Sequence, residues 1–337
     1  MTSAFVTGGS GFIGGALVGR LVGEGWAVRA LSRSERSDER LRALGAEPVR
    51  GDLADPAAMA AGADGCDVAF HAAAHLGDWG SWADFERDNV EGTENALAAC
   101  AKAGVRRFVH VGTEAALLAG EPLVAADERA PLRFDSAAPY AATKARAEAA
   151  VLAASRPGFQ TVSIRPRFVW GAGDATLLPA LAAMVRAGRF AWIGGGRQRT
   201  SHTHVDNAVE GLVLGATREG VAGRAFFVTD GAPTVFRELV SRLLATQGLA
   251  APDRSIPLPL AKAAAAAGET AWRTLRLPGR PPLTRFAVWV AGLECTLDTT
   301  RARAELGYAP VRGVDEGMAG LAAPAGGGTV EGVATGA

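Results

Sequence analysis

The segment PYAATKARAE sets Tyr140 and Lys144 four residues apart, on one face of a helix expected over Pro139–Ala154. A free phenol, with a pKa of about 10, is a feeble acid–base catalyst at neutral pH. A neighbouring ammonium favours the phenolate and draws that pKa toward the working range. The same lysine can donate to the ribose hydroxyls of a cofactor. Of the 35 lysines and arginines only Lys102, Lys144 and Lys262 are lysine, and the two tyrosines are Tyr140 and Tyr308. A chance Tyr-x-x-x-Lys is therefore rare, and acid–base chemistry outweighs a buried tyrosine beside a surface lysine.

A second chemical signal lies at the start, where FVTGGSGFIGG spaces Gly8, Gly11 and Gly14 three apart. The first glycine permits a tight turn, the second lets a pyrophosphate approach, and the third allows close helix–strand packing. The helix that follows presents oriented N–H groups to the anion. In a chain with 43 glycines the spacing alone means little, but here it joins a first strand to a helix. The second strand ends in ALSRSERS, with Ser32, Arg33, Ser34 and Arg36 where an acid would select an unphosphorylated ribose. Guanidinium suits a 2′-phosphate, so NADP(H) is expected as cofactor, with NAD(H) second.

These residues need a scaffold. AFVT, AVRALS, EPVRGD, DVAFHAA, RRFVHVG and TVSIRP are short β-type runs. They alternate with helical stretches at Phe12–Glu24, Trp82–Ala103 and Pro139–Ala154. The alternation implies an α/β fold: a Rossmann doubly wound parallel sheet with its ligand crevice at the strand carboxyl ends. Residues 1–166, with about 200–230, are assigned to a dinucleotide-binding domain. Residues 167–199 and 231–321 are assigned to a smaller, mostly helical substrate-binding cap, and 322–337 to a disordered tail. The alanine-rich run Ala261–Ala267 is expected to pack in the cap core.

Lys plus Arg and Asp plus Glu are each 35, so the net charge is zero and no broad basic field favours nucleic acid. Three scattered cysteines suggest neither disulfides nor zinc and suit a reduced, cytoplasmic protein. No signal peptide or membrane span is expected. His71 and His75, and His202 and His204, have spacings that can hold metal. Without a placed third ligand none is expected, and structural hydrogen bonding is the reading for the second pair. Trp79 and Trp82, in a loop after the fourth strand, could line an apolar substrate or merely pack a lid.

TGGSGFIG, GDL at 51–53, HAAA at 71–74, NVEGT at 89–93 and YAATK together resemble an extended short-chain dehydrogenase/reductase over roughly residues 1–320. Within that epimerase/dehydratase superfamily the chain resembles the 3β-hydroxysteroid dehydrogenase/isomerase group. IRPRFVWGAGD, THVDNAVEG and LRLPGRPPLTRF are similar to 2-alkyl-3-oxoalkanoate reductases. The resemblance implies Thr113 as the hydroxyl that holds the substrate oxygen, Tyr140 as the acid–base group and Lys144 as its modulator. It implies cofactor contacts at Gly8, Gly11, Phe12, Ile13, Gly14, Ser32, Arg33, Asp52, Leu53, Ala72, Ala73, Ala74, Tyr140, Lys144 and Pro166. Asn89 would tie its helix to the sheet. The expected activity interconverts a ketone and a secondary alcohol on a hydrophobic substrate, sterol-like or a β-keto acid. A nucleotide-sugar epimerase or dehydratase with tightly held NAD, and a non-catalytic NADP sensor, are the alternatives. The oligomeric state is left open, with a homodimer as one option.

Overall fold

The six short β-type runs and a seventh strand, Arg224–Val228, meet in one parallel sheet. The computed structural model describes residues 1–322, so positions 323–337 of the expected tail lie outside the described residues. The strands β1 (Ser3–Thr7), β2 (Ala27–Ser32), β3 (Glu47–Arg50), β4 (Val68–His71) and β5 (Arg107–Val111) are joined by Gln160–Pro166 and Arg224–Val228. Their order is Arg224–Val228, Gln160–Pro166, β5, β4, β1, β2, β3. Neighbours in sequence therefore separate between β1 and β4, and the crevice opens at that switch point. The period of two is visible in β1: Ala4 and Val6 enter one core with Leu17, Val18 and Leu21, and Phe5 enters the other with Met59, Ala63 and Phe108. Burial on both faces is why the inner strands read as near-continuous apolar runs, whereas the edge strand β3 stays partly exposed.

The stretch expected as one helix over Trp82–Ala103 is broken. An α-turn at Trp82–Phe85 leads into a π-type segment, Glu86–Glu91, before α-helix resumes at Gly92–Lys102. Inside the widened turn lies Asn89, 2% exposed. Its Oδ1 accepts from His75 N at 2.7 Å, and its Nδ2 donates to His75 O at 3.2 Å and to Thr143 Oγ1 at 3.1 Å. The irregular turn thus clamps the loop after β4 to the helix that carries Tyr140.

Beyond Pro166, helices at Leu177–Arg186, Phe236–Ala245 and Arg285–Gly292 pack around Phe190, Trp192, Val240 and Leu244, and the helix Leu258–Thr274 packs Ala261 and Ala265 on Ile193 and Val288. A small sheet accompanies them, in which Cys295–Leu297 pairs with Leu123–Ala126 from the N-terminal half. Of the Ala261–Ala267 run only Ala261 and Ala265 are fully buried; Ala263, Ala264 and Ala267 face outward. Among the described residues no helix is long and apolar enough to cross a membrane.

Candidate active site

The glycine turn has the geometry that its residue types require. Gly8 has φ +71°, and a Cβ there would lie 2.5 Å from Ala73 N. A Cβ at Gly14 would collide with the Gly8 carbonyl oxygen. Gly11 begins helix Phe12–Gly23 with no side chain to cap it, so Phe12 and Ile13 keep N–H groups without a side-chain acceptor. Ala72 N donates to Thr7 O at 3.1 Å and Ala73 N to Thr7 Oγ1 at 3.3 Å, which fastens the start of Ala72–Ala74 beside the turn. At the β2 tip Ser32 is buried and Arg33 and Arg36 are exposed. The Asp52 carboxylate accepts from Ala54 N at 2.8 Å and Leu53 O accepts from Asn95 Nδ2 at 2.9 Å, ordering the turn after β3. Pro166 ends its strand in register with Val228.

The helix expected from the Tyr–Lys spacing runs over Pro139–Ala153, with proline in its first turn. Lys144 is 4% exposed, and its Nζ donates to Val111 O at 2.9 Å and bonds His110 Nε2 at 3.2 Å. Burial lowers its pKa to about 8, while the Glu148 carboxylate works in the opposite direction. The ring of Tyr140 meets Phe286 edge-on at 5.6 Å and Phe85 at 6.5 Å. Here the expectation that Lys144 lowers the phenol's pKa is corrected. Burial foremost, then the nearby Glu114 carboxylate, raises it above the ordinary value, and only the polar Thr113 hydroxyl opposes them. The ammonium is engaged by Val111 and His110, and Tyr140 stands as a neutral phenol, a proton donor.

Thr113 follows β5 as expected, and its hydroxyl donates to Glu114 Oε2 at 2.9 Å. Glu114 was not anticipated. It is 4% exposed and ion-paired with Arg167, itself fully buried and donating from Nε to Thr200 Oγ1 at 3.1 Å. A matching pair lies two residues earlier, where buried Arg165 grips buried Glu148, one turn beyond Lys144. Ser163 Oγ donates to the same carboxylate at 2.8 Å. The available signal was the run IRPR itself: two arginines flanking a proline in an otherwise apolar strand demand buried acids.

His71 and His75 do not converge on a common ligand. His71 bonds Thr7 Oγ1 at 2.8 Å and Thr93 Oγ1 at 3.0 Å, and His75 Nδ1 bonds Asp88 at 2.9 Å. His202 is held by Asp230 at 2.7 Å beside the Trp170 indole, the structural role expected of it. The loop after β4 is tied to residues 273–284: the Trp79 indole donates to Gly279 O at 3.2 Å under the Arg273 guanidinium, and adjacent Asp78 accepts from Arg280 and Thr284, both at 2.9 Å. Cys66, Cys100 and Cys295 are all free and buried. A depression of about 520 Å³ among Met1, Trp26, Asp67 and Gln160 lies at the strand amino ends, away from this chemistry.

A glycine turn, a strand-end threonine and a Tyr-x-x-x-Lys helix on one doubly wound sheet define an oxidoreductase of the short-chain dehydrogenase/reductase type, interconverting ketone and alcohol at CH–OH groups. The model of the 3-beta hydroxysteroid dehydrogenase/isomerase family matches residues 5–260, and the chain belongs to that family. A 4-hydroxy-2-methyl-3-oxo-4-farnesyl-3,4-dihydroquinoline-1-oxide ketoreductase of Stigmatella aurantiaca is 49% identical over 305 residues, 90% of this chain and 91% of that protein. A 2-alkyl-3-oxoalkanoate reductase of Stenotrophomonas maltophilia is 41% identical over 326 residues, 93% and 96% of the two chains. Among solved structures, gox2253 superposes with a TM-score of 0.76 at 27% identity, covering 96% of this chain and 97% of that one.

Proposed function

We propose that the chain is an NADPH-dependent reductase of a ketone carried on a hydrophobic, alkyl- or prenyl-bearing substrate. One observation carries the reading: the Tyr140 ring is walled by Phe85 and Phe286, with Lys144 one turn further along the same helix. The residues fit a dinucleotide, since Gly8 and Gly14 leave no room for side chains and the helix start after Gly11 is uncapped. Gly8, Gly11, Phe12, Ile13 and Gly14 would hold the pyrophosphate. Asp52, Leu53, Ala72–Ala74 and Pro166 would border the rest, and Lys144 would reach the ribose.

A bound dihydronicotinamide supplies the hydride that the carbonyl carbon accepts. Tyr140 gives its proton to the carbonyl oxygen as negative charge develops there. Thr113 lies at the end of β5 near the phenol, its hydroxyl donating to Glu114 Oε2 and its oxygen accepting from Ala115 N, which leaves the Tyr140 proton for the substrate oxygen. The Lys144 ammonium adds positive charge near the developing oxyanion. Two relatives support the substrate class: one is a ketoreductase of a farnesylated quinoline oxide, the other a 2-alkyl-3-oxoalkanoate reductase.

Two results test this reading. Arg33→Ala should raise the KM for NADPH about tenfold and leave that for NADH nearly unchanged, by loss of a charge-assisted phosphate contact; equal effects on both would remove Arg33 from that role. The second is pH dependence. Lys144 is an ammonium below its pKa of about 8 and neutral above it. The kcat/KM for NADPH, which reports the free enzyme, should therefore fall as pH rises through that value. A profile flat across that range would contradict it.

A further inference from the structure

His110 sits inside β5 with no exposed surface, in the otherwise apolar run FVHV. A buried imidazole must find hydrogen-bond partners or lose stability. Its neighbour on β4, His71, stands opposite it in register and satisfies both ring nitrogens through Thr7 and Thr93. The two rings stack at 5.6 Å with planes 22° apart. His110 differs. Its Nε2 meets Lys144 Nζ at 3.2 Å, and its Nδ1 is buried with no partner among the described residues. An apolar side chain would avoid that orphan, so ordinary core packing does not account for histidine here.

We propose that His110 is a positioning residue for Lys144: a neutral imidazole whose Nε2 lone pair fixes the ammonium so that one N–H remains for the cofactor ribose. The inference rests on the role given to Lys144 above. An ammonium has three N–H donors and no acceptor. Val111 O takes one, His110 Nε2 takes the second, and the third is left over. Since Nζ can only donate, Nε2 must be bare and the ring proton must sit on Nδ1, the nitrogen without a partner. The orphan follows from serving Lys144.

The surroundings keep the imidazole neutral. Burial foremost, then the Lys144 ammonium, His71 and Arg165, hold its pKa well below the ordinary value. His71 is itself lowered to about 3, by burial and then Lys144. The titratable groups bearing on the Lys144–His110 pair are thus His71 on β4, Arg165 on the Gln160–Pro166 strand and Glu148 on the lysine's own helix. Glu148 alone adds negative charge, and Arg165 already grips it. The His110 lone pair is a neutral acceptor that stabilises the ammonium without adding a countercharge.

Three lysines in the whole chain make isotope-labelled lysine NMR a direct test, read on the full protein without substrate. The Lys144 signal should titrate near its pKa of about 8 in the unaltered protein. His110→Phe keeps a ring against His71 and removes the acceptor, so the midpoint should drop by about one pH unit. His110→Gln supplies an amide oxygen and should return it toward the original value. A midpoint unmoved in His110→Phe, or moved as far in His110→Gln, overturns the proposal. Should His110→Phe fail to fold, histidine NMR of the unaltered protein at neutral pH decides: a proton on Nδ1 is expected, and one on Nε2 overturns the assignment. None of these signals depends on turnover, so a failure of the catalytic reading would appear separately, as activity surviving in Tyr140→Phe.

Discussion

Tyr140→Phe should lower ketone reduction roughly a thousandfold while dinucleotide affinity stays within about twofold of the original. The substitution removes one oxygen and its proton and keeps the ring that meets Phe85 and Phe286. Packing therefore survives, and the loss falls on proton transfer to the developing alkoxide. A residual rate from hydride transfer without that proton is expected, because Lys144 and the crevice remain. Steady-state kinetics with fluorescence titration of NADPH separates the two effects. Equal losses in binding and turnover would instead mark Tyr140 as a packing residue.

The second large effect concerns stability. Arg165→Met should destabilise the fold by about 3–5 kcal/mol, because Glu148 would be left ionised and buried with only Ser163 to bond it. The doubly altered Arg165→Met, Glu148→Met protein should recover much of that loss, since a buried pair yields little net stability over apolar residues of similar size. Urea unfolding of the single and double variants measures both. A double variant as unstable as the single one would mean that the pair contributes through geometry rather than through compensated charge.

Much of this could be read from residue types and spacing. Alternation of β-type and helical runs was enough for the parallel sheet, since strands buried on both faces leave long apolar words in the sequence. The glycine turn was legible because its requirement is steric: no side chain fits at Gly8 or Gly14. Tyr140 and Lys144 were legible because scarcity made their spacing informative.

The surroundings of that pair were not. Glu114 and Arg167 are 53 residues apart, and Lys144 and His110 are 34 apart. Only the folded sheet brings such partners together. The sign of the Tyr140 shift was missed for the same reason. Spacing revealed the nearby lysine, but not the carboxylate at Glu114 or the carbonyl and imidazole that already engage the ammonium. The π-type turn at Glu86–Glu91 was hidden because its stretch still reads as continuous helix, and only the inward Asn89 shows why the turn widens.

The decisive experiment is anaerobic consumption of NADPH by the purified chain with a 2-alkyl-3-oxoalkanoate, monitored together with formation of the 3-hydroxy product. One alcohol should form per NADPH consumed, with slower reaction with NADH and near-complete loss in Tyr140→Phe. Enzyme that purifies with tightly held NAD, converts a nucleotide sugar and leaves NADPH untouched would contradict it.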